Sequence, residues 1–185
     1  MTDRFAVSTT PLDGVKSIRR KRIGDERGWL ERLFCGDDLA AAGWIWNVAQ
    51  INRTLTHRRG TVRGMHFQRA PHEEAKLVTC LKGNVFDVAV DLRPDSPTYR
   101  RWHGEILSDG NDTSLLIPPG FAHGFQTLSD EVEMLYFHSA PYAAAAEGGV
   151  RPDDPALSIA WPMEIVEMSD RDRNHPLLND GGNAP

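Results

Sequence analysis

Residues 76–93, Lys-Leu-Val-Thr-Cys-Leu-Lys-Gly-Asn-Val-Phe-Asp-Val-Ala-Val-Asp-Leu-Arg, decide the fold class. Residues 77–81 form a short apolar run, and Lys82-Gly83-Asn84 reads as a turn. After the turn the pattern alternates. Phe86, Val88, Val90 and Leu92 fall on one face of a strand; Asp87, Asp91 and Arg93 fall on the other. Two strands joined by a Gly-Asn turn make a β-rich chain the first expectation.

Working outward, Pro94-Asp95-Ser96-Pro97 ends the second strand, and further strands are predicted over 102–107, 114–117, 125–128 and 131–139. Pro118-Pro119-Gly120 is a sharp turn. Toward the N-terminus, 12–22 and 29–34 read as strands flanking the turn Asp25-Glu26-Arg27-Gly28, and 44–51 is aromatic and β-prone. The best helix candidate is 37–42, with an acidic first turn and Gly43 as its stop. Many short strands with almost no helix predict a sandwich or barrel. No Gly-rich loop joins a strand to a helix, so neither a dinucleotide fold nor a phosphate-binding P-loop is indicated. After Tyr142 the composition shifts to alanine and glycine, which predicts an appendage laid over the β core. The expectation is one domain over 1–185, with a core of about 5–176 and a disordered tail from 179.

Composition narrows the function classes. The chain has 185 residues, 40% hydrophobic and 25% charged, as a globular protein has. No run approaches the roughly 18 apolar residues of a membrane span, and residues 1–10 lack the apolar stretch of a signal peptide. A cytoplasmic protein without a membrane partner is expected. The net charge of −5 argues against a nucleic-acid partner. Positive charge is concentrated in Arg19-Arg20-Lys21-Arg22, expected to be a solvated strand face, and in Arg53 through Arg63. An acidic chain with a few clustered arginines suits a small phosphorylated ligand. Cys35 and Cys80 lie in apolar surroundings and are expected as buried free thiols.

The chemistry-bearing stretch is Gly60-Thr61-Val62-Arg63-Gly64-Met65-His66-Phe67-Gln68. His66 and Gln68 share a face if it is a strand. Lys76 opens the next strand, and Pro118-Pro119-Gly120-Phe121-Ala122-His123 sets a second histidine after a rigid turn. His66, Glu73 and His123 would make a facial metal triad. The position two residues after His66 is Gln68, however, a poor ligand for transition metals, so no metal is expected.

The wider set of motifs resembles the dTDP-4-dehydrorhamnose 3,5-epimerase family, sugar-nucleotide epimerases of the cupin superfamily. The resemblance rests on Asp25 to Glu31, Gln50-Ile51-Asn52, Val62 to Gln68, Lys76-Leu77-Val78 and Gly83 to Arg93. It continues through Ser96-Pro97-Thr98, Pro118 to Phe125, Tyr136 to Tyr142, Asp153-Asp154-Pro155, Trp161-Pro162 and Ser169 to Asp172, about 5–176 in all. It implies an all-β, cupin-type jelly-roll β-barrel with short helical segments and a C-terminal appendage. It implies a homodimer with exchanged N-terminal strands, a deoxythymidine diphosphate sugar as substrate, and no cofactor. By the same resemblance His66 is the base, Asp172 its carboxylate partner, Tyr136 the acid and Lys76 the group beside the keto oxygen. Arg27 and Arg63 would hold the diphosphate, and Glu31, Gln50, Asn52, His123 and Tyr142 would line the cavity.

The implied reaction is epimerisation of dTDP-4-dehydro-6-deoxy-D-glucose at C3 and C5 to dTDP-4-dehydro-L-rhamnose. The residue types suit it. A neutral imidazole can remove a proton next to a ketone, an ammonium can stabilise the enolate oxygen, and a phenol on the other side can return a proton with inversion. The alternatives are inversion at one carbon of a related 4-keto nucleotide sugar, and a non-catalytic sugar-binding protein. Departures from the family pattern bear on substrate and on the number of carbons inverted. Glu73-Glu74-Ala75 stands where a glutamine usually precedes the lysine, four alanines precede Glu147, and Pro152 precedes Asp153.

Overall fold

The computed structural model describes residues 4–178. The tail predicted to be disordered from 179 lies outside them. The chain order is β1 (Phe5–Thr9), β2 (Lys16–Arg20), β3 (Ile23–Asp25), β4 (Gly28–Leu30), α1 (Gly36–Ala40), β5 (Gln50–Thr56), β6 (Val62–Gln68), β7 (Lys76–Lys82) and β8 (Asn84–Asp91). There follow β9 (Trp102–Ser108), β10 (Thr113–Ile117), β11 (Phe121–Thr127), β12 (Val132–His138), β13 (Glu147–Gly149) and α2 (Asp170–Arg173). No helix among the described residues is long and apolar enough to cross a membrane.

The expected all-β character holds, but the jelly-roll barrel does not. The main strands form two open sheets, β1-β2-β10-β7-β12-β5 and β13-β6-β11-β8-β9, and β3-β4 stand apart as a hairpin. Closure would require β5 to pair with the other sheet. Instead the chain crosses between the sheets at residues 57–61, where Gly60 and Thr61 bond to Thr127 and Val62 bonds to Glu167. The result is a β-sandwich, with free edges at β1, β5, β9 and β13.

Three apolar clusters explain the layering. Val78, Cys80, Val85, Ala89, Leu115, Phe125 and Met134 fill the space between the sheets. On the outer face of the five-stranded sheet, Met65, Phe67, Val88, Val90 and Leu92 are covered by Val150, Leu157, Ile159 and Trp161 of the C-terminal segment. On the outer face of the six-stranded sheet, Ile18, Leu77 and Phe137 are covered by Leu39, Ala42 and Trp44. Residues after Tyr142 thus form the expected appendage.

The alternation in β8 is as read, but its apolar series faces outward, under the appendage. The face carrying Asp87 points into the sandwich, and Asp87 and Asp91 are both fully buried. The strand is buried on both sides, so alternation marked the two faces and not which one is inside.

Local differences have simple causes. Residues 29–34 keep a strand only to Leu30, and Trp44 is a core residue in a loop. The basic run at 19–22 is not uniformly solvated. Arg20 is buried, with its Nε 2.7 Å from Glu31 Oε1 and a short hydrogen bond to Ser114 Oγ. Cys35 and Cys80 are free; Cys35 is only half-buried, and burial pushes the Cys80 thiol up to about 12.

Candidate active site

A polar cavity of about 210 Å³ opens between the sheets on the side of β5 and β6. The six-stranded sheet contributes Asn52 and Thr54 from β5, Lys76 from β7, and Tyr136 and His138 from β12. The five-stranded sheet contributes Arg63 and His66 from β6, and His123 and Phe125 from β11.

Arg63 and His66 are three positions apart, and a regular strand would turn them to opposite faces. A β-bulge brings them together: His123 is the register partner of His66 and Phe125 that of Arg63, so three steps on β6 match two on β11. Gly64 lies in this bulge with φ of 143°, and a Cβ there would come within 2.5 Å of the Gly124 Cα. Only glycine allows this approach of the two strands.

Each histidine on this sheet is backed by a carboxylate. His66 Nε2 lies 2.7 Å from Asp172 Oδ1. Asp172 sits in α2, whose N-cap Ser169 accepts a hydrogen bond from the Asp172 N–H, and its other oxygen accepts from the Gly64 N–H. Burial pushes the Asp172 carboxyl up, but the hydrogen bond and charge of His66 and the Gly64 N–H outweigh it and hold it below the ordinary range. His123 Nε2 lies 2.8 Å from Asp87 Oδ2, with both side chains buried.

On the facing sheet, burial pushes the Tyr136 phenol well above its ordinary value, against the Thr54 hydrogen bond and the Arg63 charge. Its hydroxyl therefore carries a proton at neutral pH. Its ring meets His123 edge-on at 6.1 Å between centroids. Lys76 Nζ donates to the carbonyl of His66 at 3.3 Å and pairs with Glu74 Oε1 at 3.1 Å.

Of the residues singled out from the sequence, His66, Arg63, Lys76, Tyr136, His123 and Asn52 line the cavity, and Asp172 is bonded to His66. Gln50 is one bond further out: its amide N donates to Asn52 Oδ1 and its carbonyl accepts from the Tyr142 N–H. Tyr142 is exposed and donates to Glu147. Arg27 and Glu31 are not in this chain's cavity. Arg27 is on the exposed β3–β4 hairpin, paired with Asp25, and Glu31 is taken by Arg20. The alternative triad is not assembled either, because Glu73 lines a different cavity with Gln68 and Arg93. Gln68 is committed to loops: it donates to the carbonyls of His72 and Pro141 and accepts from the Ala143 N–H. Among the described residues, His66, Asp172 and His175 bring one potential ligand atom each within 4.8 Å of one another.

Sequence reasoning missed Thr54, Asp87, His138 and His175. Asp87 was legible as an acidic residue in an apolar strand. His138 and His175 gave no signal, because each acquires meaning only through residues far away in the chain.

An imidazole steadied by a carboxylate, an ammonium group and a protonated buried phenol around one cavity are suited to proton transfer at carbon, and the fold and site define a β-sandwich isomerase. The comparison with known proteins agrees. The family model for dTDP-4-dehydrorhamnose 3,5-epimerase matches residues 9–180, and the chain belongs to that family. It is 42% identical over 181 residues to a dTDP-4-dehydrorhamnose 3,5-epimerase of Sinorhizobium fredii, covering 95% of this chain and 91% of the relative. It is 40% identical to a dTDP-4-dehydrorhamnose 3-epimerase of Streptomyces niveus, covering 94% and 84%. The crystal structure of dTDP-4-dehydrorhamnose 3,5-epimerase from Bacillus anthracis, with TDP and PPi bound, superposes with a TM-score of 0.90. It is 38% identical, with 94% of this chain and 99% of that chain covered.

Proposed function

We propose that this enzyme inverts C3 and C5 of dTDP-4-dehydro-6-deoxy-D-glucose to give dTDP-4-dehydro-L-rhamnose. The observation that carries the reading is that the His66–Asp172 pair and the protonated Tyr136 project from facing sheets into one cavity. His66 takes the proton from the carbon next to the C4 ketone. Asp172 orients the ring and stabilises the imidazolium that forms. The electron pair moves to the C4 oxygen, where the Lys76 ammonium meets it. Tyr136 then delivers its proton to the opposite face of the carbon, and solvent restores both groups. Arg63 suits the diphosphate.

The same proposal includes a homodimer. The β3–β4 hairpin exposes Ile23, Trp29 and Leu30, the β5 edge exposes Ile51 and Leu55, and the hairpin carries Arg27 away from its own cavity. An apolar hairpin with an arginine at its turn suits insertion beside a partner's cavity. The core of about residues 5–176 acts as one domain. A cytoplasmic setting fits two cysteines that are both free. No metal step is invoked, since Gln68 is occupied by loop backbone; turnover is expected to survive exhaustive chelation.

A second reading, inversion at C3 alone, is favoured by the 3-epimerase relative from Streptomyces niveus. Turnover in D₂O separates the two. Deuterium entering both C3 and C5 is expected; entry at one carbon identifies a mono-epimerase, and none at either carbon overturns the catalytic reading.

A further inference from the structure

We infer that Glu74 is a positioning residue for the reaction proposed above, tying Lys76 to the mouth of the cavity through His138. Lys76 and His138 are register partners on β7 and β12. The segment before β7 is pinned to β12, because the Ser139 N–H donates to the Ala75 carbonyl and the Ala75 N–H donates to Ser139 Oγ. Glu74, two residues before Lys76, falls on the same side of the chain and reaches both neighbours. Its Oε1 lies 3.1 Å from Lys76 Nζ and its Oε2 lies 2.7 Å from His138 Nδ1. All three side chains are about nine-tenths buried.

The contacts beyond His138 fix its tautomer. Gln50 Nε2 donates to Asn52 Oδ1, which turns the Asn52 Nδ2 toward His138 Nε2 at 3.4 Å. That nitrogen is then the acceptor, so Nδ1 carries the hydrogen and donates it to Glu74. A continuous relay runs from the Tyr142 N–H through Gln50, Asn52, His138 and Glu74 to Lys76, which also donates to the His66 carbonyl. His138 stacks on Tyr136 at 6.1 Å between centroids, so the relay also supports the phenol.

The carboxylate has an electrostatic role as well. The titratable and charged groups that share the cavity with Lys76 are Arg63 and His66 from β6, Tyr136 and His138 from β12, and His123 from β11 with Asp87 of β8 behind it; Glu74 itself meets Lys76 and His138. Burial pushes the Glu74 carboxyl up, but His138 and Lys76 outweigh it and hold it below the ordinary range. Glu74 is therefore ionised at neutral pH and sets a negative charge between the Lys76 ammonium and the His138 ring.

The test is Glu74→Gln, which keeps the length, removes the charge and leaves one acceptor oxygen for two donors. Expected is a loss of about 10-fold or more in kcat with KM changed by less than about 3-fold. The His138 ring nitrogens, read by ¹⁵N NMR, should change from the Nδ1–H tautomer toward a mixture. Glu73→Gln, on the exposed neighbour, should match the parent. A Glu74→Gln enzyme with the parent's kcat and His138 spectrum overturns the inference, as does one altered only in melting temperature. If that variant does not fold, the parent protein decides: an Nε2–H tautomer at His138 is fatal. A parent without solvent exchange into substrate would instead defeat the epimerase reading, while the tautomer would still report on the relay.

Discussion

His66 and His123 are register partners on adjacent strands, and each imidazole rests on its own buried carboxylate, Asp172 at 2.7 Å and Asp87 at 2.8 Å. They differ in access. The His66 side chain is 33% exposed in the cavity, and that of His123 only 7%. A base must reach carbon, so the two are not interchangeable. His66→Asn is expected to abolish deuterium exchange and epimerisation together, by about 10²- to 10⁴-fold. His123→Asn should retain exchange at a reduced rate. Isotope entry followed by NMR or mass spectrometry reads both, and exchange persisting at the parent rate in His66→Asn would assign the base elsewhere.

Tyr136→Phe keeps the ring that packs against His123 and His138 and deletes only the buried hydroxyl. Proton removal should continue, and reprotonation with inversion should not. The expected signature is deuterium returning to unconverted substrate while product formation falls by about 10²-fold or more. Net epimerisation near the parent rate would make another group the acid.

Asp91 anchors the turn after β8. It accepts from Arg93, Ser96 and Thr98. Burial pushes its carboxyl up, but these donors overcome it and bring it from an ordinary value of 3.8 to about 2. A folded-state value below the unfolded one stabilises the fold above pH 3.8, and that contribution disappears as pH falls through about 2. At neutral pH Asp91→Asn should lose about 2 kcal/mol in chemical denaturation. The variant's stability should depend less on pH between these two values; an unchanged acid limb would refute the assignment.

Arg27 supplies a test of the proposed exchange between subunits. Arg27→Ala and His66→Asn should each be nearly inactive. Unfolded together and refolded as a 1:1 mixture, they should regain about a quarter of the parent activity, because half of the dimers are mixed and each holds one intact site. If Arg27 serves its own chain, no activity returns.

Much of the strand pattern was legible because it rests on local chemistry. The alternation in β8 and the turns at Gly83 and at Pro118-Pro119-Gly120 follow from adjacent residues. The loss of the strand expected over 29–34 beyond Leu30 has a tertiary cause: Glu31 is drawn to the buried Arg20. The site was legible in part, through the order of motifs around His66, Lys76, His123 and Tyr136.

The sequence by itself determined that this is a β-rich, acidic chain with the motifs of a sugar-nucleotide epimerase, because periodicity and motif order are carried by neighbours in the chain. Only the tertiary structure decided that the sheets stay open, that Arg63 and His66 share a face, and that Glu74 meets both Lys76 and His138. It also decided that Arg27 leaves its own cavity. Those outcomes depend on where strands far apart in the chain pair, on one bulge at Gly64 and on which charges find partners once water is excluded.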